Sequence, residues 1–79
     1  MAERTVFNVS GSDAQGWRVE RRGDTHPLSR HDTRDDAIAE AKRVAMLEAP
    51  SEIRVREADG IVRVEYAYDE QRQLVLGPG

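Results

Sequence analysis

Apolar side chains recur at helical spacing over one stretch of the chain, residues 33–48. The stripe consists of Ala37, Ile38, Ala41, Val44 and Ala45. These positions share one face of a helix. Asp32 or Thr33 can cap its start, because short polar side chains accept hydrogen bonds from the first free backbone N–H groups. Pro50 cannot continue a helix, so we expect the helix to end near Glu48.

Two strands are predicted before this helix. Residues 5–9, TVFNV, are mostly β-branched or aromatic, and residues 16–22, GWRVERR, alternate between apolar and polar side chains. Both patterns are typical of strands. We expect Trp17 in the core, because a small domain needs large side chains there. Residues 22–31 contain glycine and proline, which indicates an irregular connector.

A hairpin is predicted in the last third of the chain, where Asp59-Gly60 suits a two-residue type I′ turn. This turn also predicts the register, in which one face of the hairpin is apolar and the other is charged. Next to the turn, Ala58 is expected opposite Ile61. The pairs further out are Val55 with Val64 and Ile53 with Tyr66 on the apolar face, and Arg56 with Arg63 and Arg54 with Glu65 on the charged face.

The order of hairpin, helix and hairpin predicts an α+β fold of the ββαββ type. Its mainly antiparallel sheet has one helix packed on one face. The 79 residues form one domain, with an ordered core at about residues 4–68, and residues 69–79 form a tail or an edge strand. The expected core consists of Trp17, Val19, Ile38, Val55 and Val64.

Composition and charge narrow the possible partners. The chain has 12 basic and 15 acidic side chains and a net charge of −3, which gives no overall attraction to nucleic acid or anionic membranes. No apolar run approaches the roughly 18 residues of a membrane span. The N-terminus has no secretory signal pattern. The cysteine-free composition suits a reducing compartment, so we expect a cytoplasmic protein without a membrane partner.

The sequence carries no recognisable catalytic motif. Its two histidines, His26 and His31, lie in the predicted connector. His31 precedes Asp32, and a carboxylate can orient an imidazole, but adjacent side chains seldom face each other in this way. No Ser-His-Asp order, phosphate-binding loop or metal-ligand spacing is present. We therefore expect no enzyme activity, metal or cofactor, and interpret the segment as a structural helix start.

Six residues are candidates for contact with a partner. They are Arg54, Arg56, Arg63, Leu74, Val75 and Leu76. The three arginines share the charged face of the predicted hairpin and can contact phosphates. RNA-binding sheets also carry aromatic side chains on that face, whereas here the aromatics fall on the other one. The three apolar residues of the tail can add an edge strand, dock on the core or meet a protein partner.

The order of these motifs resembles a known family. A GW-x-V second strand, a T-x-x-x-A-x-x-x-A helix start at Thr33, Ala37 and Ala41, and a DG hairpin with downstream tyrosines are similar to the small bacterial DUF2188 domains. The resemblance covers roughly residues 5–68 and implies a bacterial origin, but no established activity. The strand-strand-helix unit also resembles HicB-type antitoxins, which neutralise a small RNase partner.

These observations favour a small non-catalytic interaction module that binds a second copy of itself, as a homodimer, or another protein. Two alternatives stay open. One is association with nucleic acid or the ribosome through the arginines of the sheet, which the net charge disfavours. The other is a toxin-neutralising role like that of the HicB-type proteins.

Overall fold

The computed structural model describes residues 3–57 and 59–77 of the chain. The elements are β1 (Thr5–Ser12), β2 (Gly16–Arg21), β3 (Ser29–His31), α1 (Arg34–Leu47), β4 (Ser51–Arg56), β5 (Val62–Tyr68) and β6 (Leu74–Leu76). The six strands form one sheet in the order β3-β2-β1-β4-β5-β6. The β1–β4 pairing is parallel, and the other four pairings are antiparallel.

The α+β class is confirmed, but the sheet contains two short strands beyond the predicted ββαββ arrangement. β3 lies inside the connector that was expected to be irregular, and it pairs His31 with Trp17 of β2. A three-residue strand is too short to show a periodic pattern in the sequence, which is why it was missed. β6 is formed by the tail and lies at the opposite edge of the sheet.

The helix begins and ends as its sequence signals predicted. The Thr33 side chain accepts a hydrogen bond of 3.1 Å from the backbone N–H of Asp36. At the other end, the backbone N–H of Glu48 donates to the carbonyl groups of Val44 and Ala45. The capping residue at the start is therefore Thr33, which was one of the two candidates.

The core lies between α1 and one face of the sheet, and α1 contacts β1 through β5. The helix buries three alanines and one large side chain, Ile38, so its axis can approach the strands closely. Trp17 is buried, and its indole N–H donates to Asp13 Oδ1 at 3.0 Å. The buried cluster contains Phe7, Val9, Trp17, Val19, Ala37, Ile38, Ala41, Ala45, Ile53, Val55 and Tyr68.

The register of the β4–β5 hairpin differs from the prediction near the turn. The observed pairs are Arg56 with Val62, Val55 with Arg63 and Arg54 with Val64. A register shift between Ile53 and Arg54 then brings Ile53 opposite Tyr66, as predicted. The predicted Ala58–Ile61 pair involves a residue outside the described ranges.

The length of the loop explains this difference. The backbone N–H of Glu57 donates to the Ile61 carbonyl at 2.9 Å, so three residues separate the closing pair instead of two. Gly60 has a φ of 86°, and its N–H donates to the Glu57 carbonyl at 2.9 Å. Three-residue hairpin loops use such a glycine in the left-handed region. The Asp-Gly pair is therefore at a turn, but in a longer loop than predicted.

Candidate interaction surface

The helix covers one face of the sheet and leaves the other face open. Side chains alternate between the two faces along each strand, so the neighbours of the buried core residues belong to the open face. The open face carries Asn8 and Ser10 on β1, Arg18 and Glu20 on β2, Arg30 on β3, Glu52, Arg54 and Arg56 on β4, and Val62 and Val64 on β5.

The structure separates the three arginines that were predicted to share a face. Arg54 and Arg56 lie opposite Val64 and Val62 on the open face. Arg63 instead pairs with Val55, whose side chain is fully buried beneath the helix. The prediction for Arg63 was wrong because the longer loop shifts β5 by one position, and a shift of one residue exchanges the two faces.

The same shift places Val64 outside the core. Its side chain was expected to be buried with Trp17, Val19, Ile38 and Val55, and those four residues are buried as predicted. Val64 is 39% exposed. Opposite Arg54, the open face therefore has an aliphatic side chain where the predicted register placed Glu65.

A row of arginines crosses the open face at one level. Arg30 of β3 lies opposite Arg18 of β2, and Arg18 lies opposite Ser10 of β1. Arg56 of β4 is beside Ser10, since both lie one residue beyond the paired Val9 and Val55. We call Arg30, Arg18 and Arg56 the arginine row. Arg18 and Arg30 were not among the candidate residues, because only pairing between β1, β2 and β3 aligns them with Arg56.

The acidic side chains of the open face lie beside this row. Arg18 Nε donates to Glu20 Oε1 at 2.8 Å, and Arg54 Nε donates to Glu52 Oε2 at the same distance. Within residues 3–57 and 59–77, neither Arg30 nor Arg56 forms an ion pair. Part of the positive charge of this face is therefore not neutralised within the fold.

An open depression of about 530 Å³ lies over the middle of this face. Short side chains of the central strand, Asn8 and Ser10, line it together with longer ones from both neighbouring strands, including Arg18, Arg54 and Arg56. Because these side chains of β1 are shorter than those of the two neighbouring strands, a shallow trough runs along β1. Its polar lining can exchange hydrogen bonds with a ligand.

The hydrogen-bonded ion pairs of the open face lie within single strands. Two arginines of the helix-covered face instead form ion pairs that connect separate elements. Arg34 Nη2 donates to Glu57 at 2.8 Å and to Glu65 at 2.7 Å, which links the start of α1 to both strands of the hairpin. Burial alone would lower the pKa of Arg34, but these hydrogen bonds outweigh it and raise the pKa above its ordinary value. The arginine stays charged and supports the fold.

Arg21 forms a second connection of this type. Its Nη1 donates to both carboxylate oxygens of Glu48, at 2.5 and 2.6 Å, and this ties the end of β2 to the end of α1. The hydrogen bond to Glu48 is the main cause that raises the pKa of Arg21. Asp24 also accepts a hydrogen bond from Arg21.

Exposed aliphatic side chains occur on β5 and β6, the last two strands at one edge of the sheet. Val62 and Val64 of β5 and Val75 and Leu76 of β6 are between 39% and 55% exposed. We call these four residues the β5–β6 patch. Leu74, the third apolar candidate of the tail, is partly buried and packs against the core instead.

His31 has a local structural contact, and the described residues form no metal-binding cluster. His31 Nε2 lies 2.8 Å from the hydroxyl of Ser29, and no group of three or more His, Asp and Glu side chains in the described ranges is placed to hold a metal ion. No helix among these residues is long and apolar enough to cross a membrane.

The fold defines a small α+β domain in which a single helix covers one face of a six-stranded sheet. The chain belongs to the DUF2188 family, described as an uncharacterized protein conserved in bacteria, whose model matches residues 6–68. The resemblance drawn from the sequence is thus confirmed. No curated protein and no solved structure matched the chain. The family match spans β1 to β5 and ends before β6.

Proposed function

We propose that this protein is a non-catalytic interaction module that associates through the β5–β6 patch, with a second copy of itself as the simplest partner. The observation that carries the proposal is the presence of four exposed aliphatic side chains on two adjacent strands at one edge of the sheet. Grouped apolar side chains at a surface mark contact sites, whereas isolated ones are common. We further propose a cytoplasmic location, which the cysteine-free composition suits.

The position of β6 supports a contact between two copies. β6 is the outer strand of the sheet, so the backbone groups along its outer edge are available to another strand. In a symmetric dimer the same patch lies on both sides of the contact. Two β6 strands can then pair across the twofold axis while Leu76 and Val64 of each copy lose contact with water.

The size of the patch predicts a weak association. A standard interface buries about 800 Å² on each partner, which is about 15% of the 5279 Å² surface of this protein. Four partly exposed side chains cover less than that. We therefore expect a dimer that forms at dissociation constants on the order of micromolar or weaker. A toxin-like partner would belong to the same class, a protein that covers this patch.

Sedimentation equilibrium over a range from low to high micromolar concentration tests the proposal. The wild-type protein should increase in average mass with concentration, and the variant Val64→Thr/Leu76→Thr should remain a monomer. Threonine is β-branched, a shape that strands favour, so the variant should stay folded by circular dichroism.

Leu47→Gln is the matched control for this experiment. Leu47 is 61% exposed on α1 and is not part of the β5–β6 patch, and its replacement should leave the association of the wild type unchanged. A wild-type protein that stays monomeric at high micromolar concentration would refute the proposal. So would a loss of association in Leu47→Gln equal to that in the patch variant.

A further inference from the structure

We propose that the arginine row binds the carboxylates of an acidic protein segment that lies along β1, in the trough between β2 and β4. The row consists of Arg30, Arg18 and Arg56 on the open face. Val62 of the β5–β6 patch is the neighbour of Arg56, but the inference rests on the charges of the row and does not depend on the proposed dimer.

The first argument is the unfavourable charge arrangement within the row. Arg30 and Arg18 lie directly opposite each other on antiparallel strands, and like charges in that position destabilise a sheet. The arginines with structural roles are paired differently: Arg21 and Arg34 each connect two elements through carboxylates. Among the described residues, only Arg18 of the row has a carboxylate partner, the neighbouring Glu20. A bound anion would offset the repulsion between Arg30 and Arg18.

The second argument is geometric. Adjacent strands lie about 4.8 Å apart, so the backbones at Arg18 and Arg56 are separated by about 10 Å across β1. That space accommodates one extended chain between the two arginines. Guanidinium groups bind carboxylates with two parallel hydrogen bonds. The hydroxyl of Ser10 and the amide of Asn8 line the same depression and can hydrogen-bond to a partner backbone.

The third argument distinguishes a protein segment from a nucleic acid. Glu20 and Glu52 flank the row on the same face, and they repel a backbone that carries a negative charge at every unit. An acidic segment can place single carboxylates at the arginines alone. Proteins that bind single-stranded nucleic acid stack bases on exposed aromatic rings, but in this sheet Phe7, Trp17 and Tyr68 belong to the buried core.

Fluorescence anisotropy with a short labelled peptide of alternating glutamate and valine tests the inference. The wild-type protein should bind the peptide, and affinity should fall as salt rises, because exposed charges are screened. In amide NMR spectra of the complex, the shifted resonances should concentrate at Ser10, Arg18 and Arg56. Binding that is absent at low salt, or that shifts resonances elsewhere, would overturn the inference.

Arg56→Glu and Arg63→Glu form a matched pair of variants. Both change the same charge on the same hairpin, but Arg56 belongs to the open face and Arg63 to the helix-covered face. Arg56→Glu should weaken peptide binding about tenfold or more, since it replaces an attraction by a repulsion. Arg63→Glu should change it by about twofold at most, through net charge. Equal effects of the two variants would contradict the proposed site.

A single-stranded RNA of the same net charge serves as the competing probe. If the RNA binds more tightly than the peptide and Arg56→Glu abolishes its binding, the row is a phosphate site and the protein partner is excluded. The variant Val64→Thr/Leu76→Thr should bind the peptide like the wild type. This outcome separates the two proposals, because failure of the peptide test leaves the association through the β5–β6 patch unaffected.

Discussion

At the scale of single residues, Ile38 is the main contribution of α1 to the core. It is the only large side chain among the four buried residues of α1, and the other three are alanines. The contact of the helix with the sheet therefore depends strongly on this side chain. Helical spacing in the sequence was sufficient to identify it, because α1 has one apolar stripe and clear capping signals at its start.

Replacing Ile38 with alanine should lower the free energy of unfolding by about 2–5 kcal/mol, because it removes buried methyl groups and leaves a cavity. That is a large share of the stability of a small domain. Urea denaturation measures the effect, with Leu47→Ala as a control at an exposed position of the same helix. An unchanged midpoint for Ile38→Ala would show that the packing of α1 differs from the one described.

Tyr68 makes the free energy of unfolding depend on pH in the alkaline range. Burial raises the pKa of its phenol, so the folded protein holds the proton more strongly than the unfolded chain. This contribution is fully present below the unfolded pKa of about 10 and is lost as pH rises through the higher folded value. Urea unfolding should show that the free energy of unfolding falls less between neutral and alkaline pH for Tyr68→Phe than for the wild type. Equal losses would contradict this role.

At the scale of elements, local patterns predicted most of the structure, and the errors concern the length of one hairpin loop and one strand that is too short to be recognised. α1, β1, β2, β4 and β5 each carry a periodic pattern of their own. An Asp-Gly pair fits loops of two or three residues, so the register of the hairpin was one position out near the turn. The shift between Ile53 and Arg54 then restored the pairing further from the turn. β3 has three residues, too few for a pattern.

The link between α1 and the hairpin through Arg34 gives a prediction at this scale. Replacing Arg34 with methionine keeps much of the length of the side chain but removes both hydrogen bonds to Glu57 and Glu65. We expect the free energy of unfolding to fall by about 1 kcal/mol. This value allows for solvent screening, because the side chain of Arg34 is exposed by about one third. Arg43→Met, which breaks an exposed pair with Glu40 within α1, should cost less in urea denaturation. A larger effect for Arg43→Met would contradict the structural role of Arg34.

At the scale of the whole molecule, the charged side chains are unevenly distributed, although the net charge is only −3. The open face concentrates Arg18, Arg30, Arg54 and Arg56 with only Glu20 and Glu52 beside them. The sequence identified Arg54 and Arg56, because alternation along one strand is a local property. It could not identify Arg18 and Arg30 as their neighbours, since that requires the order β3-β2-β1-β4, which includes a parallel pairing of strands distant in sequence.

We propose that the molecule associates through the β5–β6 edge of its sheet. Hydrogen exchange measured by mass spectrometry at low and high protein concentration tests it most directly, because it locates the contact. We expect backbone amides in residues 62–76 to exchange more slowly at high concentration, while those of β3 at the opposite edge stay unchanged. Exchange that is independent of concentration throughout the chain, or that slows at β3 instead, would contradict the claim.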